Sequence, residues 1–120
     1  MRDHRKLEVF ELADTLAIQI YKATKQFPAD ERFGLTSQLR RAAVSVAANI
    51  VEGSARLHRA EYIRFMSIAY ASAKELEYEL SIALRLGYVP VSNTGELAEL
   101  SQRVSKALRG LITALTRRDD

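Results

Sequence analysis

Two carboxylates one helical turn apart, Glu75 and Glu79, are the residues in this chain whose spacing comes nearest to acid–base chemistry. In such chemistry one carboxyl gives up a proton while its neighbour takes one, and the surroundings must hold their proton affinities apart. Nothing else in the sequence converges on them, so the pair reads as a solvated helix face. Metal chemistry has less to work with. A carboxylate-bridged di-iron bundle needs Glu-x-x-His on each of two helices, and neither His4 nor His58 has a glutamate three residues before it. His58 followed by Glu61 is the reverse order and reads as a surface histidine at a helix entrance. Cysteine is absent, which removes disulfides, thiolate metal sites and thiol nucleophiles together. No Gly-x-Ser-x-Gly elbow surrounds any serine, and the five glycines are too scattered to cradle a phosphate. No enzyme activity, cofactor or metal is expected.

The remaining candidates are charges. Glu77 falls on what reads as the core face of a long helix, where an isolated carboxylate is costly. Arg40 and Arg41, near the start of the adjacent helix, are its predicted partners in a structural ion pair. Basic residues form two groups. Arg40, Arg41, Arg56, Arg59 and Arg64 lie at or near the central helix and its exit, and Arg103, Lys106, Arg109 and Arg117 mark one face of the last helix. Clustered positive charge is what nucleic-acid phosphates require. Glu96 and Glu99 lie close by, however, and Glu99–Arg103 is an i,i+4 pair, so the stripe admits a second reading as a solvated face. The net charge of +3 and pI near 9.4 allow a nucleic-acid partner without indicating one.

The elements that must carry these residues are helices. Apolar residues recur at three- and four-residue steps over about 7–26, 36–53, 59–86 and 93–117, with a basic lead-in over 1–6 expected to be frayed. Phe27-Pro28 ends the first helix; Gly53 and Gly87 are expected to end the second and third through left-handed backbone. Asn93 and Glu96 resemble a capping box opening the fourth. Short connections and the absence of strand-like alternation give an all-α, antiparallel up-and-down four-helix bundle, a single domain over 1–120. The second helix carries more apolar and small-residue surface than one subunit needs to bury. Val44, Ala47 and Val51 form the excess strip and are the predicted oligomer interface. No apolar run approaches the roughly 18 residues of a membrane span, and the opening residues lack a signal peptide's apolar segment, so a cytoplasmic protein is expected.

Four stretches carry a resemblance: LEVFELA in the first helix, FPADERFGLTSQLRRAAVSVAANIVEG across the second, EYIRFMSIAYASAKELEYEL in the third and LGYV at its end. From Leu7 to Pro90 the chain resembles the four-helix-bundle family encoded in intervening sequences of bacterial 23S ribosomal RNA genes. The resemblance implies a protomer that closes into a ring-like homo-oligomer, a pentamer favoured. It further implies similarity to the accessory variability protein of diversity-generating retroelements, a basic pentamer that partners a reverse transcriptase and binds nucleic acid. The expected function is therefore a non-enzymatic, self-assembling bundle that offers a basic surface to RNA, DNA or a nucleic-acid enzyme. The alternative is a purely structural protein-interaction module.

Overall fold

A computed structural model describes residues 2–89 and 91–117. The helical periodicities resolve into α1 (Glu8–Thr24), α2 (Leu35–Ser54), α3 (Arg59–Arg85) and α4 (Val91–Arg117), with short 3-10 turns at His4–Lys6 and Ala29–Glu31. No strand occurs among the described residues. The bundle measures 47 × 23 × 20 Å; its long axis is close to the ~40 Å of a 27-residue helix. Each helix packs on its neighbours in sequence, and α4 closes back on α1. Leu16, Ile20, Leu39, Val46, Ile50, Met66, Leu76, Val104 and Leu108 fill the interior.

Local chemistry sets the ends. Gly87 takes φ +75°, a conformation that strains residues carrying a Cβ. Its N–H donates to Leu84 and the next, from Tyr88, to Ala83, the paired bonds of a Schellman cap. The Glu31 carboxylate accepts the Leu35 N–H at the start of α2 and the Tyr88 hydroxyl at 3.0 Å, joining that helix start to the α3–α4 connection.

Three expectations about ends need correction. Gly53 does not end α2, which continues to Ser54; it lies inside the helix where α2 crosses α3, and a Cβ there would stand 2.7 Å from Phe65 Cβ. Asn93 is not an N-cap, because α4 has already begun at Val91; Pro90, assigned to an extended link, lies outside the described residues. The lead-in is not frayed. Asp3 caps the first 3-10 turn through the Arg5 N–H, the Arg2 N–H donates to Ser54 O at 2.7 Å, and the Arg2 guanidinium lies 3.8 Å over the Tyr62 ring.

Candidate functional site

The basic stripe of α4 divides between two grooves. Lys106 and Arg109 turn toward α3, lining an open groove of about 390 Å³ with Tyr70, Lys74, Glu77, Gln102 and Ser105. Glu77 is therefore satisfied from this side: Lys74 Nζ lies 2.8 Å from its Oε2, and Ser105 Oγ donates to its Oε1 at 3.2 Å. That replaces the ion pair expected with Arg40 or Arg41, because Glu77 faces α4 and those arginines project from α2. The carboxylate beside it holds the Lys74 ammonium pKa above its ordinary value. Three cations thus share this groove with one carboxylate, and Lys74 is the one paired with it. Arg103 faces the other way, beside Glu8 and Glu11 of α1.

Arg40 and Arg41 occupy opposite sides of α2. Arg40 spans to α1: its Nε donates to Thr24 Oγ1 at 2.8 Å and its Nη2 to Tyr21 O at 3.4 Å, and the guanidinium lies 4.7 Å from the Tyr21 ring centre. Arg40 therefore closes the α1 C-terminus, where backbone carbonyls lack helical partners. Arg40→Ala is expected to cost about 1–2 kcal/mol in urea unfolding, while leaving any affinity for nucleic acid unchanged.

Arg56, Arg59, Arg64 and Arg117 gather at one end of the bundle, formed by the α2–α3 connection and the end of α4. The Arg56 guanidinium contacts Glu52 at 2.5 Å and lies 4.8 Å from the Phe65 ring centre, with Arg64 at 5.6 Å. Arg59 reaches across to the carbonyl of Leu115, two residues before Arg117. Arg2 adds a further cation at this end, its guanidinium covering the buried ring of Tyr62. Of the expected interface strip, Val44 is 44% exposed, whereas Ala47 and Val51 are half-buried. Ile18 and Tyr21 of α1 extend the exposed apolar surface beside it.

The acid pair departs furthest from expectation. Glu75 is exposed, but Glu79 is only 6% exposed and lies in a groove of about 500 Å³ between α2 and α3, with Gln38, Arg41, Ala42, Ser45, Ser72 and Glu75. Burial, reinforced by the negative charge of Glu75, raises the Glu79 carboxyl pKa from 4.5 to about 7. The groove's hydroxyls are engaged with each other, Ser45 Oγ lying 2.8 Å from Ser72 Oγ. Lys74 is a site residue that sequence patterning missed, and Glu79 is one that it singled out but read as solvated. The signal for Lys74 was its i,i+3 spacing to Glu77; that for Glu79 was its position between Leu76 and Ala83, both fully buried. Among the described residues no group of three or more histidine, aspartate or glutamate side chains could hold a metal, and no helix is long and apolar enough to cross a membrane.

The family model described as 23S rRNA-intervening sequence protein matches residues 5–110, reaching beyond the motif-bearing segment into most of α4. A crystal structure of a protein of unknown function from the S23 ribosomal protein family of Bacteroides thetaiotaomicron is similar in fold, with a TM-score of 0.78 and 25% identity over 88% of this chain and 95% of that one. No curated protein matches the chain.

Proposed function

Because the chain belongs to the 23S rRNA-intervening sequence protein family, whose model spans most of α1 to α4, we propose that it acts without catalysis, as a self-assembling antiparallel bundle that presents basic surface to nucleic acid. The observation that carries this reading is the α3–α4 groove, which Lys74, Lys106 and Arg109 share with the single carboxylate of Glu77. The arginine–aromatic end supplies a second basic surface on the same protomer. Contacts between the start of one helix and the end of the next support the antiparallel arrangement, as with Arg59 of α3 and Leu115 of α4. The exposed Ile18, Tyr21 and Val44 favour homo-oligomerisation. A cyclic assembly, a pentamer by family likeness, would repeat each basic groove around a ring and strengthen the field. A cytoplasmic location and a nucleic-acid enzyme such as a reverse transcriptase as partner accord with this role.

Titrating labelled RNA hairpin and duplex DNA at increasing salt tests the proposal. Phosphate contacts make the logarithm of affinity fall with the logarithm of salt by about 0.9 per contact on duplex DNA. Replacing Lys106 and Arg109 together with alanine is expected to weaken binding uniformly across sequences and to reduce that slope by about 2. Wild-type protein that binds neither nucleic acid at low salt overturns the proposal and leaves the protein-interaction reading, which the apolar α1–α2 surface favours.

A further inference from the structure

The groove between α2 and α3 contains an acid with one oxygen that has no donor. Glu79 is more than nine-tenths buried, and its Oε1, shielded from solvent, meets no hydrogen-bond donor among the described residues. Its charged companion is Glu75, one turn earlier on α3, whose carboxyl is hydrogen-bonded with it; Arg41 lines the α2 rim of the groove, and neither carboxylate forms an ion pair with it among the described residues. A buried acid in this setting either keeps a proton or awaits a cation. The helix stripe that holds Glu75 continues through Ile68, Tyr78 and Leu86, all exposed, at separations made up of three- and four-residue steps, which keep side chains toward one face. An apolar face beside an acidic groove suits a macromolecule better than a free ion.

The complementary face is on the same chain. Ile18, Tyr21 and Val44 are exposed along α1 and α2, with Arg40 lying across Tyr21 and Lys25 exposed one turn after it. One side of the bundle is thus apolar beside a buried acid, and another is apolar with Lys25 exposed at its end, Arg40 being held on Thr24 and Tyr21 and Asp14 exposed one turn before Ile18. Two different complementary faces generate a head-to-tail contact, which closes into a ring when the rotation permits. We propose that the α2–α3 groove receives a basic side chain from the α1–α2 face of a second copy of this chain, seated between Glu79 and Glu75. This rests on the homo-oligomeric reading above and deepens it by assigning the contact. The raised proton affinity of Glu79 adds a consequence: an incoming cation must displace its proton, so assembly weakens as the solution is acidified below about pH 7.

Sedimentation velocity of the full chain at pH 8 and pH 5.5, alone and with Glu79→Gln or Glu75→Gln, tests the assignment. Wild-type protein is expected to assemble at pH 8 and to require at least tenfold more protein to do so at pH 5.5. Glu79→Gln, nearly isosteric and checked for helix content by circular dichroism, is expected to need at least tenfold more at pH 8, and Glu75→Gln severalfold more. An assembly that forms equally well in wild type and Glu79→Gln at both pH values overturns the groove assignment and leaves oligomerisation standing. A wild-type protomer that never assembles overturns both. A wild-type protomer whose melting temperature rises with spermidine or magnesium, with no change in mass, gives the groove to a small cation and overturns the second-copy occupant.

Discussion

Gly53→Val lowers the stability of the protomer by about 3 kcal/mol. A Cβ at this position would stand 2.7 Å from Phe65 Cβ, 2.8 Å from Met66 Cε and 3.4 Å from Tyr62 O. The Met66 terminal methyl can move aside. Phe65 Cβ is fixed to the α3 backbone, so relieving its contact requires α2 and α3 to separate, and that separation would open the buried layer around Ile50 and Met66. Valine's two further methyl groups extend the clash, whereas Gly53→Ala regains about 1 kcal/mol of helix propensity and should lose less. Gly110, also helical, has nothing within 4 Å of its Cβ direction. Gly110→Ala should therefore stabilise the protein by up to about 1 kcal/mol. Urea unfolding followed by far-ultraviolet circular dichroism measures all three. Equal destabilisation by Gly53→Ala and Gly110→Ala would show that helix crossing at Gly53 is not what matters.

The same residue shows why helix content was legible and helix ends were less so. A glycine after Val51-Glu52 in an apolar periodic run carries the signal of a C-cap, and Gly87 fulfils that role with positive φ. The requirement at Gly53 comes instead from α3, distant in sequence, so no local pattern reveals it. The inward face of α3 was shifted for a related reason. Its periodicity centred on Leu76, Leu80 and Leu84, with Glu77 among them. The structure buries Ala83 and Glu79 and leaves Leu84 and Glu77 only half-buried. Small residues on α2, Ala42 and Ser45, border Glu79 and let α3 roll toward that helix, carrying Glu79 inward and Glu77 toward Ser105 of α4. Side-chain volume on a neighbouring helix decided which acid was buried. Among the basic residues, position along the chain indicated that Lys106 and Arg109 share a face. It could not indicate that Lys74 stands opposite them, or that Arg40 is occupied in closing α1.

Glu79→Gln stabilises the isolated protomer by about 2–3 kcal/mol at pH 8 and has little effect near pH 4.5. The carboxyl pKa is about 7 in the folded protomer and 4.5 in the unfolded chain. Between those values the folded state holds a proton that the unfolded state has released. Folding is then favoured by acid, and stability falls as pH rises through the window and levels off above about 7. With each pKa unit equivalent to about 1.4 kcal/mol, the full loss is about 3 kcal/mol; glutamine carries no ionisable group and removes it. Other groups titrate in both proteins, so the difference between variant and wild type isolates Glu79. Urea unfolding at pH 4.5, 6 and 8, at a dilution where sedimentation reports the protomer alone, should show that difference growing with pH. A constant difference would mean that Glu79 ionises as freely in the folded protomer as in the unfolded chain. In the proposed assembly the expectation would reverse: a basic side chain beside Glu79 would favour its charged form, so the carboxylate that weakens the protomer at neutral pH would strengthen the contact between copies. Only an acid buried at an interface, not one buried within a completed core, gives glutamine opposite effects on folding and on assembly.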